Sequence, residues 1–336
     1  MLNEVIFLYY SKLKLNISKL IIIIIFLMIF LYLNFSFLNS KICLCTLARN
    51  ENLYILEFVE HYLNYGVDKI IIYDNNDIKG ENINDVIPGY IKKKFVEIMN
   101  YRGKNKIQME MLNDCYINNY KHYNWLIFYD IDEFIYLKNY TNIKNFLNEK
   151  KFKNCNIIHL NWVIHLDNNQ LYYHNKTLKE RFPKILIKKH LAVKSILRGN
   201  IPNIKFNNMH TINKKYESCN GFGKKIHLYN NFLNPPDLKY YYIDHYYYKS
   251  TEEFITKIKR GSCYTGAFKN TKILRILSYL YYNPINKEKI KLIEKKIGFN
   301  IKKINFDGFK KNKKDILLKY KKILTKYKLI YKNKNK

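Results

Sequence analysis

The chain has 336 residues, 48% of them hydrophobic and 26% charged, with a formal net charge of +32. That composition provides a real core for one large domain or two small ones. So basic a chain first points to nucleic acid or an anionic membrane. However, Lys, Asn, Ile and Tyr are abundant along its whole length, as in a protein encoded by an A/T-rich genome. The excess charge is spread rather than gathered in one stripe, so no nucleic-acid partner is expected.

Residues 1–19 read as a cytosolic tail. Leu20–Leu38 is nearly all apolar, broken only by Asn34 and Ser36, and has the length of a membrane-spanning helix. Lys12, Lys14 and Lys19 precede it against one acid, Glu4, so the positive-inside rule places the N-terminus in the cytosol. No small-residue cleavage site follows, which makes it a signal anchor rather than a removed leader. The rest of the chain would then be lumenal, in the Golgi or another endomembrane. The alternative is a buried helix of the domain itself. About three residues separate the span from the first strand, a reach of roughly 10 Å, so the domain would lie close against the headgroups. An oxidising lumen would allow disulfides among the six cysteines, but the sequence does not pair them. Asn139 and Asn175 stand in glycosylation sequons.

Lys41–Leu47 has the composition of a first strand and ends in Ala48-Arg49-Asn50-Glu51. Asn52–Tyr65 reads as an amphipathic helix with Leu53, Leu56, Val59 and Leu63 on its apolar face, and Gly66 as its terminator. Val67–Tyr73 is a second buried strand, followed by Asp74. Phe95–Met99 is a weaker third, and Ile107–Tyr120 a helix. Trp125–Tyr129 is a fourth strand, running directly into Asp130-Ile131-Asp132-Glu133-Phe134. Carboxylates are poor strand formers and are costly when buried unpaired. They are comfortable at the carboxyl ends of central strands, where α/β sheets keep their ligand crevice. Asp130 and Asp132 there suit a divalent cation bound through hard oxygen ligands, which would neutralise a diphosphate. Three strand ends carry acids, namely Glu51, Asp74 and the Asp130/Asp132 pair. The alternation predicts an α/β, doubly wound sheet with helices on both faces.

These blocks carry a resemblance. A-R-N-E, then G-V-D-K-I-I-I-Y-D-N-N, then W-L-I-F-Y-D-I-D-E-F resemble glycosyltransferase family 92 and its family 2-like relatives. The likeness continues more loosely through Val193–Arg198, Met209-His210 and Ile243–Ser250, and covers roughly Lys41 to Gly261. It implies a GT-A-like fold over residues 41–265, with a nucleotide-sugar-binding half (41–135) and an acceptor half (136–265) on a mixed sheet. It also implies a divalent metal, usually Mn2+, an inverting transfer and a type II membrane anchor. Galactose is the family's usual donor sugar. Residues 266–336 read as a basic helical extension, with helices at Lys287–Ile297 and Lys310–Lys336.

The resemblance assigns roles. Asp130 and Asp132 would bind metal, with Asp130 also toward the nucleotide sugar, and His245 would be a third metal ligand. Glu133 would orient the pair, or simply carry a helix-entry charge. Arg49, Glu51 and Asp74 would contact the nucleotide, and Lys249, with Lys257 and Arg260, the departing diphosphate. His210 matches a second family position. The catalytic base would be Glu180, in an acid-Arg-aromatic run, with Asp167 and Asp244 as alternatives; an ion pair between Glu180 and Arg181 is the competing structural reading. The expected activity is transfer from a UDP-sugar to a glycan, glycoprotein or glycolipid. A nucleotidyltransferase on a similar nucleotide-binding half, or a non-catalytic membrane-tethered carbohydrate-binding protein, are the alternatives.

Overall fold

The computed structural model describes residues 40–298 with short breaks at 188–189, 207, 209–211, 213–215, 229–232, 234–237 and 262–268, together with residues 19–26 and 28. In chain order the elements are β1 (Ile42–Ala48), α1 (Asn52–Asn64), β2 (Lys69–Asp74), α2 (Pro88–Lys92), β3 (Val96–Asn100), α3 (Gln108–Asn119) and β4 (Trp125–Phe128). They continue as β5 (Glu133–Leu137), α4 (Ile143–Leu147), β6 (Ile157–Ile164), α5 (Leu178–Arg181), β7 (Val193–Arg198), β8 (Ser218–Asn220) and β9 (Tyr241–His245). Three helices follow, α6 (Thr251–Arg260), α7 (Lys269–Tyr282) and α8 (Lys287–Ile297).

The strands form a mixed sheet in the order β3-β2-β1-β4-β7-β6-β9-β5, with β8 also paired to β6. Its first four strands are parallel. Strand β7 runs antiparallel to both β4 and β6, and β5 runs antiparallel to β9. The chain leaves β1 toward β2 on one side and returns to β4 on the other. The carboxyl ends of β1 and β4 therefore flank a topological switch point, where open α/β sheets bind ligands.

All seven residues of β1 are buried, because helices cover both faces. Leu44 packs with Ile70, Ile127 and the α1 face, whereas Cys43 and Cys45 pack with Leu126, Phe128 and the α3 face. The buried stripe of α1 is Tyr54, Ile55, Phe58, Val59 and Tyr62; Leu53 and Leu56 are 56% and 40% exposed. The expected leucine stripe is thus corrected. Two stripes share the helical spacing, and the aromatic one offers more area to the sheet. Gly66 terminates the helix as expected, with φ +94°, and a Cβ there would come within 2.5 Å of the Asn142 side chain.

Disulfides Cys45–Cys115 and Cys155–Cys219 tie β1 to α3 and the approach to β6 to β8. Cys43 is free and buried. Asn139 and Asn175 are exposed.

Helices α6–α8 share their own core of Phe254, Ile255, Ile258, Ile276, Leu277, Tyr279, Ile290 and Ile293. Ser250 and Glu253 cap α6 reciprocally. Lys289 of α8 is fully buried on Asp167, at 2.6 Å, so this helix is fastened to the loop after β6. Among the described residues no helix is long and apolar enough to cross a membrane. Of the predicted span 20–38, residues 20–26 and 28 are described; they are helical, with exposed apolar side chains. The remainder of the span, and the predicted helix Lys310–Lys336, lie outside the described residues.

Candidate active site

The register aligns Ala48 with Asp74 across β1 and β2, and Cys45 with Phe128 across β1 and β4. The residues that follow each strand therefore meet at one end of the sheet. Asp130 Oδ2 accepts from Lys194 Nζ at 2.8 Å, and its side chain remains 36% exposed. Glu133, with no exposed surface, turns back so that its Oε2 accepts the Asp130 backbone N–H at 3.1 Å, and it lies 3.4 Å from Lys194 Nζ. Asp132 Oδ2 accepts from Lys257 Nζ at 2.5 Å, and its Oδ1 lies 3.5 Å from His245 Nε2. The pairing of Glu133 with His245 across β5 and β9 brings this histidine, distant in sequence, to the acids.

The electrostatics separate the three acids. Burial opposes the charge on Asp132, but Lys257 and His245 overcome it and hold the carboxyl well below the usual carboxylate range. Burial likewise opposes the charge on Asp130, and Lys194 overcomes it. Burial pushes Glu133 well above that range, and Lys194 offsets only part of the effect. Burial also lowers His245, with Asp132 opposing. At neutral pH the cluster therefore holds two aspartate carboxylates and a neutral imidazole, the form of histidine that binds metals, while burial favours the protonated form of Glu133. His245 Nδ1, Glu133 Oε1 and the Tyr129 hydroxyl are buried with no hydrogen-bond partner among the described residues.

Behind this cluster, Glu51 is buried between Lys249 Nζ, 3.1 Å from Oε2, and Arg260 Nη2, 2.6 Å from Oε1. Burial opposes its charge, but Arg260 and Lys249 prevail and lower its pKa. Lys249 sits in the left-handed region at φ +52°, with its ammonium 3.4 Å over the Tyr54 ring. Lys249, just before α6, and Lys257 and Arg260 within it each answer a carboxylate of the crevice, whereas Lys259 of the same helix is exposed. Arg49 pairs with Asp77 at 2.8 Å at the surface.

At the end of β2, Asp74 Oδ2 accepts from Arg102 Nη1 at 2.8 Å, while its Oδ1 accepts from Asn76. Asp74, Asn100 and Arg102 line a polar cleft of about 600 Å3.

The three base candidates part company. Glu180 is exposed and forms a capping box with Thr177, whose hydrogen bonds lower its pKa. No ion pair joins it to Arg181, which is buried against Glu253 instead. Asp167 is sealed in the interior by Lys289 and Tyr279. Asp244 is 22% exposed, and its Oδ1 lies 2.6 Å from His165 Nε2. His210 lies outside the described residues.

Two residues of the site were not assigned from sequence, Lys194 and Arg102. Lys194 had a signal, being the one charge inside the apolar strand V-K-S-I-L. A buried lysine needs a carboxylate, and the adjacent strand β4 ends in three. Arg102 lay in a polar loop and had none.

The profile of glycosyltransferase family 92 matches residues 39–273, well over half of the chain. A glycosyltransferase family 92 protein of Ricinus communis is 30% identical over 103 residues, 31% of this chain and 18% of that one, so the chain matches less than a fifth of that relative's length. Among solved structures, S. aureus TarS is similar at a TM-score of 0.34 and 12% identity, over 72% of this chain and 43% of TarS. The mannosyltransferase PcManGT from Pyrobaculum calidifontis, solved with GDP-Man and Mn2+, is similar at 0.28 and 7%, over 40% and 42%. The family match spans every strand that builds the crevice and the helix that carries Lys257 and Arg260, and on that ground the chain belongs to glycosyltransferase family 92.

Proposed function

We propose that the chain transfers a sugar from a UDP-sugar, with inversion and with a divalent metal, to a hydroxyl of a glycan, glycoprotein or glycolipid. The observation that carries this reading is the pair of ionised aspartates, each tied to a lysine through one oxygen, beside a neutral histidine. The chemistry of this donor set suits Mn2+ or Mg2+, although Asp130, Asp132 and His245 do not bring one donor atom each within 4.8 Å of the others. Carboxylates are hard ligands and a neutral imidazole accepts such ions, while the 3.5 Å between Asp132 Oδ1 and His245 Nε2 is long for a hydrogen bond. A bound cation would neutralise charge on the diphosphate.

The chain's own residues have separate tasks. Lys194 and Lys257 keep Asp130 and Asp132 ionised and fix which oxygen of each remains available. Glu133 braces the turn by accepting the Asp130 N–H. Lys249 and Arg260 hold Glu51 and add positive potential behind the diphosphate site. Asp74, Arg102 and their cleft would take the nucleoside. In a single displacement the acceptor oxygen bonds to the anomeric carbon, the bond from that carbon to the diphosphate oxygen breaks, and the acceptor proton passes to a carboxylate. Glu180, ionised and exposed, retains that role in this reading.

We also read the apolar span 20–38 as a signal anchor that leaves the catalytic domain lumenal. The exposed apolar side chains of residues 20–26 and the two disulfides support it. Carbonate release of the full-length protein would overturn the anchor.

The deciding experiment incubates the purified protein and Mn2+ with a panel of UDP- and GDP-sugars and follows nucleoside diphosphate release. Release of UDP from one or more donors is expected. Consumption of UTP with pyrophosphate release, and no reaction of any nucleotide sugar, would establish a nucleotidyltransferase instead. His245→Ala should remain folded and need 10–100-fold more Mn2+ for half-maximal rate; an unchanged requirement would remove His245 from the metal set.

A further inference from the structure

A second cleft, of about 770 Å3, opens beside the crevice between β5, β6, β9 and the segment after α5. Tyr136, Trp162, His165, His190, Tyr242 and Asp244 contribute to its lining. Its volume is in the range of small-molecule sites, about 300–1,000 Å3. Tyr136 and Tyr242, facing one another across the β5–β9 pair, stack at 4.6 Å and 22°. Tyr136 is 39% exposed, which leaves part of this aromatic platform open. Trp162 stands at the other side, its ring 5.4 Å from that of His190 and 4.4 Å from that of His245.

One fixed acid, Asp244, lines the cleft on the same face of β9 as Tyr242. His165 Nδ1 lies 2.6 Å from the Phe182 carbonyl oxygen, so it carries hydrogen and donates there. The other ring nitrogen lies 2.6 Å from Asp244 Oδ1. Both ends of the imidazole are held, and the Asp244 carboxyl is held by it in turn.

Flat aromatic faces around an oriented carboxyl match the chemistry of a pyranose, whose C–H face stacks on aromatic rings and whose hydroxyls donate to an acid. Lys179 and Lys239 also line the cleft and can donate to further sugar oxygens. The two sites also share structure. Asp244 precedes His245 in β9, Trp162 touches both the cleft and His245, and the Tyr246 N–H donates to the Asp132 carbonyl oxygen at 2.9 Å. A sugar in this cleft would lie beside the acids.

We propose that this cleft is the acceptor subsite, that it binds a pyranose at the end of a glycan, and that Asp244, positioned by His165, hydrogen-bonds an acceptor hydroxyl. The assignment of the sugar as acceptor rests on the glycosyltransferase reading of the crevice; the binding of a sugar does not.

The test uses tryptophan emission of the full-length protein in detergent. The chain has two tryptophans. Trp125 is 1% exposed and covered by the Arg198 guanidinium at 4.2 Å, so a ligand-dependent change reports Trp162. The probes are methyl glycosides of galactose, N-acetylglucosamine, mannose and fucose, and a chitotriose. A saturable change with one or more of them is expected in the wild type and none in Trp162→Phe. Asp244→Asn should weaken that binding about ten- to a hundredfold, the value of a hydrogen bond to a charged group, while UDP binding measured by calorimetry stays within twofold. Tyr136→Ala, on the exposed side of the platform, should weaken the sugar and not UDP. No saturable change with any probe, a change that survives Trp162→Phe, or Asp244→Asn binding within twofold of wild type would each overturn the subsite. If the sugars bind as stated but no nucleotide sugar is consumed, the catalytic reading fails and the sugar site stands.

Discussion

In the helical region after the sheet, Lys289 Nζ lies 2.6 Å from Asp167 Oδ2; in the crevice, Lys257 Nζ lies 2.5 Å from Asp132 Oδ2. The two pairs are alike in length and chemistry, but their surroundings differ. Around Asp167 the polar side chains are satisfied among the described residues. The Tyr279 hydroxyl and the Asn169 N–H complete the carboxylate, and Lys289 also donates to the Pro284 carbonyl oxygen. Both side chains are fully buried. Around Asp132, three buried polar atoms, on Tyr129, Glu133 and His245, have no partner among the described residues. An unsatisfied buried polar group costs about 1–3 kcal/mol, and such costs collect where a ligand or a reaction uses the groups. A completed network holds the fold together, whereas one left open in a crevice is arranged for something that arrives.

This contrast predicts opposite phenotypes. Asp132→Asn should reduce transfer by about 10³-fold or more, as loss of a charge-stabilising group does. It should lower stability by only about 1–3 kcal/mol, because Lys257 loses a charged partner but keeps a polar one. Near-normal turnover with a collapsed melting temperature would place Asp132 in the structural class. Lys289→Ala should do the reverse. It leaves the Asp167 carboxylate buried without its lysine, at a cost of about 3–5 kcal/mol, while the turnover of the folded fraction remains unchanged. Denaturant unfolding alongside a single-temperature assay reads both quantities. Asp167→Leu combined with Lys289→Met should recover much of the loss; failure to recover would mean that the pair does more than hold α8 in place.

A third buried group has neither a lysine nor a ligand to answer it. Burial pushes His61, on α1 beside Phe134, down to about 4 from an ordinary 6.5. The folded state therefore keeps His61 neutral at pH values where the unfolded chain already binds a proton. Its contribution is fully present above about pH 6.5 and is lost as the pH falls toward 4, by up to about 3 kcal/mol. His61→Gln should flatten that part of the stability–pH curve. A variant curve parallel to wild type between pH 4 and 6.5 would show that His61 protonates freely in the fold.

Much of the first half was legible in the sequence because its signals are local. Runs such as K-I-I-I-Y and W-L-I-F are buried strands by composition, and the acids that interrupt them mark the strand ends. Parallel topology then brings these ends together. The second half was harder because antiparallel additions to a mixed sheet have no comparable rule. Nothing near Tyr241–His245 announces that β9 pairs with both β5 and β6, yet this pairing delivers His245 to Asp132 and Asp244 to His165.

What the sequence determined by itself was the alternation of strand and helix, the three acidic strand ends and the family likeness, because each rests on neighbours in the chain. What only the tertiary structure decided was the state of those groups. Asp130 and Asp132 are ionised, burial raises the Glu133 pKa, and Lys194 and Lys257 are counter-charges rather than surface lysines. The stripe of α1 that faces the sheet and the partners of the cysteines belong to the same class. The physical reason is that burial and charge pairing act through space over a few ångströms, and residues that come that close here lie 64 and 125 positions apart, as with Lys194 and Asp130 or Lys257 and Asp132.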